Sequence, residues 1–143
     1  LAVDKLRDTF DVAVMAAAVA DYTPADFFIE KVKKKEGDLK VKLKRTTDII
    51  KSLGESKKPH QVLIGFAMET QNEIENAKKK VIVKNADIIV LNSLKDKGAG
   101  FKTDTNKVTF VYPNNKLKEF ELKSKPDVAR DIVNAVKDLL NND

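Results

Sequence analysis

The chain has 143 residues, about one domain's worth, of which 42% are hydrophobic and 34% charged, so it can bury a core and is not disordered by composition. It has no cysteine, which excludes a disulfide framework and a Cys-based zinc site, and its single histidine, His60, excludes His-pair metal sites and leaves little room for a Ser-His-Asp triad. The formal charge of +5 is concentrated: residues 31–45 carry eight basic and two acidic side chains, and the rest of the chain sums to −1.

A protein that coats nucleic acid more often spreads its basicity over a whole face. No run reaches the ~18 apolar residues of a membrane span, and nothing reads as a signal peptide. A cytoplasmic soluble protein with neither nucleic acid nor membrane as partner is expected.

The chain opens on "LAVDKLRDTF", which has no methionine and reads as the interior of a helix, so a first half of the fold is expected upstream of Leu1. "DVAVMAAAV" (11–19) is a near-continuous apolar run, which predicts a central strand buried on both faces. Its small residues would let a ligand approach the backbone. In "DLKVKLK" (38–44), Leu39, Val41 and Leu43 alternate with Lys40, Lys42 and Lys44, which predicts a half-exposed strand with one cationic face. Residues 36–38 suggest a turn, with 28–34 as the partner strand of a projecting ribbon over 27–45. "TTDIIKSLG" predicts a short helix capped by Thr46 or Thr47 and stopped by Gly54.

"QVLIGFA" (61–67) is a second buried strand, and His60 before it reads as a loop residue. The next helix has capping-box spacing at Thr70 and Glu73 and an inward stripe of Ile74, Ala77 and Val81. "DIIVLN" (87–92) is a third strand. The glycine-containing stretch 93–106 reads as a surface loop with a job. "KVTFVY" and "LKEFEL" flank residues 113–116 and predict a hairpin. A last helix starts near Pro126 and points Val128, Ile132, Ala135, Val136 and Leu139 inward.

This order predicts an α/β fold, Rossmann-like and three-layered, with a mostly parallel sheet, a C-terminal hairpin and the ribbon, in a single domain 1–143. Ligands of such sheets sit beyond the carboxyl ends of the strands, so residues 18–22, 65–69 and 92–93 should line one crevice. Neither GxxxxGK[ST] nor GxGxxG is present, which weighs against a flavin or dinucleotide oxidoreductase domain.

Individual residues support two readings each. Lys31 is either part of a solvated charge run or a mobile ammonium for a phosphoryl group whose charge grows during reaction. Asp21 is either a turn residue or a ligand for a ribose hydroxyl or a phosphate-bound metal. Phe66 is either core or the flank of a base. Lys80 and Lys84 either complement a helix dipole or bind phosphate.

"AAAVADYTP", "EKVKK", "LKRTTDIIKSLG", "IGFAMET", "AKKKVIVKNADIIVLN", "GAGFKTDTNKVTF" and "SKPDVARDIVNAV" follow one another in the order and spacing of phosphopantothenoylcysteine synthetase. The chain resembles that family over essentially its whole length. The family's Gly-Gly-Thr phosphate turn and Asn-x-Ser-Ser-Gly segment have no counterpart in these residues.

The resemblance implies a CTP-dependent ligase of coenzyme A biosynthesis that joins 4′-phosphopantothenate to cysteine through an acyl-cytidylate, with Mg²⁺. It implies that Lys31 is the mobile lysine at the reacting phosphate, and that Asp21 lies near the nucleotide ribose and its metal. It further implies that Ala17 and Ala18 make room for the base and the pantothenate arm, that Phe66 and Ala67 form the base-binding turn, and that Lys80 and Lys84 face the triphosphate. A homodimer, with the ribbon crossing the interface as an active-site flap, and fusion to a flavin-dependent decarboxylase are implied as well. The competing reading is a module that binds RNA or an acidic protein through residues 31–45, with affinity falling steeply in salt.

Overall fold

The structure is a computed structural model that describes residues 2–33, 36–93 and 104–141. The chain divides into two compact units, Leu1–Ala16 with Ile49–Asp143, and Ala17–Asp48.

The larger unit is built on a five-stranded sheet of β1 (Val12–Met15), β4 (Val62–Glu69), β5 (Ile88–Ser93), β7 (Val108–Val111) and β8 (Leu117–Glu119), lying side by side in that order. The pairs β1–β4 and β4–β5 are parallel, while β5–β7 and β7–β8 are antiparallel. The mostly parallel α/β sheet and the C-terminal hairpin β7–β8 are as expected.

Successive residues of a strand face opposite ways, and β4 buries both sides. Leu63 and Ala67 face a core shared with Leu53 of α1 (Ile49–Ser56) and with Ala77 and Val81 of α2 (Glu73–Val83). Val62 and Ile64 face a second core with Val128, Ile132 and Ala135 of α3 (Lys125–Leu140). The result is three layers. Each fully buried Leu, Ile or Val contributes about 1.5–3 kcal/mol, which explains why β4 reads as an unbroken apolar run. Phe120 closes the second core by packing on Phe110 at 4.6 Å between ring centres, with Lys118 and Lys123 over its ring.

Polar side chains fix the strand starts. The buried Gln61 donates from Nε2 to the carbonyls of Arg7 and Phe10, and accepts at Oε1 from the Lys58 amide, which ties the approach to β1 onto β4. Asp87 pairs with Lys57 at 2.6 Å and accepts from the Leu63 amide at 2.7 Å, which holds β5 against β4. A short antiparallel pair, β6 (Thr105–Asn106) with β9 (Lys123–Ser124), precedes α3. There Ser124 Oγ accepts from the Asp127 amide as N-cap, with Pro126 in the first turn.

The smaller unit contains one ribbon, β2 (Tyr22–Pro24) antiparallel to β3 (Leu43–Arg45), lengthened by a bond from the Ala25 amide to the Lys42 carbonyl.

Several expectations are corrected. The strand expected over 11–19 covers only Val12–Met15, and the alanines after it are exposed; β4 is its one neighbour among the described residues. The partner of β3 is Tyr22–Pro24 rather than residues 28–34, and Leu39, Val41 and Leu43 are exposed rather than lining a buried face.

Thr46 and Thr47 precede α1 by two or three residues, and the Thr46 hydroxyl donates to the Ala20 carbonyl instead of capping. Gly54 does not stop α1 but lies buried within it. No Thr70–Glu73 capping box forms, since α2 starts from Asn72 in a left-handed conformation (φ 47°). Most of the expected surface loop, residues 94–103, lies outside the described residues.

Gly54 has a specific reason to be glycine. A Cβ there would lie 1.8 Å from the Lys84 carbonyl oxygen at the end of α2. A backbone neighbour cannot yield as a side-chain tip can. Gly54→Ala is therefore expected to destabilise the fold by about 1–3 kcal/mol or more despite alanine's better helix propensity. Urea denaturation of both proteins checks this, and equal midpoints would overturn it.

Candidate functional site

The carboxyl ends of β4 and β5 run together, with Met68 opposite Asn92 and Glu69 opposite Ser93. Pairing of β1 with β4 stops at Met15 opposite Gly65, so residues 66–69 extend beyond β1 and are laddered on the β5 side. A strand end that overhangs its neighbour leaves backbone donors and acceptors free to meet a ligand, at the position where parallel sheets bind one.

The Phe66 side chain emerges on the α3 face and is about a third exposed, whereas Ala67 is buried on the α1–α2 face. Gly65 lets this stretch of β4, a strand rather than the expected turn, lie close to α1, because a Cβ there would lie 2.2 Å from Ile50 Cδ1. At the end of β5, Asn92 Oδ1 is buried without a hydrogen-bond partner. An unpaired acceptor costs about 1–3 kcal/mol, which marks Asn92 as a polar group at the strand end that packing does not explain.

On the α2 side, Glu69 receives two side chains from one helix stripe. Lys80 Nζ lies 2.5 Å from Glu69 Oε1, and Asn76 donates from Nδ2 to Oε2 at 3.2 Å. The Lys80 hydrogen bond holds the Glu69 carboxyl below its ordinary range, against the opposing effect of burial. The Glu69 side chain is mostly buried and the Lys80 side chain half exposed. Lys84 caps the same helix, its amide bonded to the Lys80 carbonyl.

The remaining candidates belong to the smaller unit. Ala17, Ala18, Asp21 and Lys31 are all exposed. The Asp21 carbonyl accepts from the Thr46 amide at 2.9 Å, which fixes the backbone just before β2. Lys31 lies in an irregular run without an ion-pair partner among the described residues. Arg45 stacks over the Tyr22 ring at 5.8 Å. His60 is an exposed turn residue, as expected, 3.9 Å from Asp11.

Of the expected crevice, the ends of β4 and β5 are brought together, whereas residues 18–22 belong to the other unit. No group of three or more His, Cys, Asp or Glu that could hold a metal occurs among the described residues. A magnesium ion carried mainly by phosphate oxygens needs only one or two protein carboxylates. The Glu69–Asn76 contact was not expected. Its only sequence signal is i, i+4 spacing of Asn76 and Lys80 on the helix that follows Glu69.

The family described as "DNA/pantothenate metabolism flavoprotein C-terminal domain" matches residues 1–140. A "Cysteine/Cysteine sulfinic acid decarboxylase" from an unknown prokaryotic organism is 47% identical over 92% of this chain and 36% of its own length. The "Coenzyme A biosynthesis bifunctional protein CoaBC" of Bacillus subtilis is 45% identical over 94% of this chain and 33% of its own length. The chain thus spans about a third of these curated relatives. The crystal structure of the C-terminal domain of a CoaBC protein superposes with a TM-score of 0.78 at 38% identity, covering 99% of this chain and 61% of that one.

The lowered pKa of Glu69 gives a signed expectation. A carboxyl depressed below 4.5 in the fold stabilises it above that value and loses the contribution as pH falls through the depressed pKa. Because Lys80 is half exposed, the contribution is at most about 1 kcal/mol. Glu69→Gln should lower stability at pH 7, and the deficit should fade as pH falls from there through the lowered pKa of Glu69. A deficit of constant size across that range, measured by denaturant titration, would overturn it.

Proposed function

The chain belongs to the DNA/pantothenate metabolism flavoprotein C-terminal domain family, and from that membership we propose that it forms part of a phosphopantothenate–cysteine ligase of coenzyme A biosynthesis. The observation that carries this reading is the 45% identity to the Bacillus subtilis CoaBC protein across 94% of the chain. The chain matches about a third of the decarboxylase-named relative and of the CoaBC protein alike, so neither relative's name describes this segment by itself.

In the proposed reaction a carboxylate oxygen of 4′-phosphopantothenate attacks the α-phosphorus of CTP, and pyrophosphate leaves with the electrons of the broken P–O bond. The cysteine amine then attacks the acyl carbon of the acyl-cytidylate, loses a proton, and expels CMP to leave the amide.

Negative charge builds on the α-phosphoryl oxygens in the first step. An exposed ammonium with no carboxylate partner among the described residues is suited to neutralise it, and Lys31 would be that group. Asp21 would hold the ribose edge or one coordination position of a Mg²⁺ ion that neutralises the triphosphate. Ala17 and Ala18 would leave room for base and pantothenate arm.

In the larger unit, the overhanging backbone at Phe66 and Ala67 would read the base edge, and Lys80 and Lys84 would receive the outer phosphates. The exposed Phe27, Phe28 and Ile29 of the smaller unit fit a surface that a second copy covers in a homodimer. Fusion to a flavin-dependent decarboxylase accounts for the relatives' greater length. No helix among the described residues is long and apolar enough to cross a membrane.

The competing reading, an RNA- or acidic-partner module, draws only on the basic charge of residues 31–45. It leaves the overhanging β4 and the lysines of α2 without a role.

Two measurements on the intact protein test the proposal. CTP at about a hundred times its dissociation constant should add roughly 2.7 kcal/mol of thermal stability, more than ATP or GTP at the same concentration. Equal protection by all three would remove base selectivity. Lys31→Gln should lower turnover on the order of 10²–10³-fold while changing CTP affinity little, with Lys33→Gln nearly silent. Near-normal turnover of the Lys31 variant would return that residue to the solvated charge run.

A further inference from the structure

We infer that Glu69 is a positioning residue for nucleotide binding: it holds the Lys80 ammonium at the end of β4 in the orientation in which Lys80 meets phosphate. The inference rests on the reading of Lys80 as a nucleotide-binding lysine.

The geometry that carries it lies entirely within the larger unit. Glu69 is the last residue of β4, at the carboxyl end of a parallel pair, and its side chain is mostly buried while that of Lys80 is half exposed. Its two oxygens are used differently. Oε2 accepts from Asn76, which also donates to the Gln71 carbonyl, so the carboxylate is anchored to the start of α2. Oε1 lies 2.5 Å from Lys80 Nζ one turn later.

An ammonium has three protons. One directed at a fixed carboxylate leaves two directed outward from a chain that would otherwise sample many rotamers. Binding a phosphate then costs less ordering, as for any preorganised donor. A comparable division of labour holds in protein kinases, where a glutamate fixes the lysine that contacts the nucleotide phosphates.

A purely structural ion pair would not need this arrangement. An exposed lysine pair contributes little to stability, yet here a mostly buried carboxylate with its own anchor is committed to it. The alternative, that Glu69 competes with phosphate for Lys80, predicts the opposite sign and so separates cleanly.

The test is a double-mutant cycle in the intact protein, with CTP dissociation constants from calorimetry and KM values for CTP and cysteine. Glu69→Gln keeps the shape and the Asn76 bond but removes the charge. It should weaken CTP about fivefold, the difference between a charge-assisted and a neutral hydrogen bond, with the KM for cysteine unchanged. Lys80→Gln should weaken CTP about tenfold or more, and the double variant should be no worse than Lys80→Gln alone.

Additive losses, tighter CTP binding by Glu69→Gln, or equal rises in both KM values would each overturn the positioning role while leaving Lys80 as a nucleotide ligand. Unchanged CTP affinity in Lys80→Gln would instead overturn the reading on which the inference stands. Glu69→Ala, whose unliganded melting temperature is measured alongside, separates a folding loss from a binding loss. If its melting temperature is unchanged, its CTP affinity must fall at least as far as that of Glu69→Gln, and a smaller loss counts against the role.

Discussion

Burial of β4 on both faces is the constraint from which the rest follows. A strand enclosed by α1 and α2 on one side and α3 on the other must be apolar at every position until it leaves the core. Where it leaves, polarity returns abruptly. Phe66 and Met68 are partly exposed, and Glu69 ends the strand with a carboxylate. The same packing that stabilises the fold therefore delivers its first ionisable group at the one place where the ladder to β1 has already stopped. Candidate site and core are successive parts of one strand.

The two units solve opposite problems. The larger unit gathers its apolar side chains into two buried cores. The smaller one keeps Phe27, Phe28, Ile29 and Leu39 exposed among lysines, with a ribbon of three residue pairs as its regular structure. Long lysine stems can lie over such apolar neighbours while their charges stay in water.

What was legible in the sequence follows the physics of periodicity. The strands β4 and β5 show as continuous apolar runs because both faces are buried, and the inward stripes of α2 and α3 show as a period of 3.6. The register of the ribbon was not legible. Alternation at residues 38–44 reports an extended backbone, but the partner depends on turns that no period encodes. The alanines after Met15 misled for a related reason, since they are apolar yet exposed. Asn72 at the start of α2 adopts a left-handed conformation, which capping-box spacing cannot reveal. Of the candidate site residues, the positions along β4 and α2 could be placed from pattern. The pairing of Glu69 with Asn76 and Lys80 depended on how the helix comes back over the strand.

The bonds between Thr46 and the carbonyls of Ala20 and Asp21 have a kinetic consequence. The parallel pair β1–β4 joins Val12 to Val62, a contact distant in sequence, and closing so long a loop slows folding. If the bonds at residues 20–21 and 46 form before the strands pair, about half of that intervening chain is bridged and the entropic cost of closure falls by about 0.6 kcal/mol.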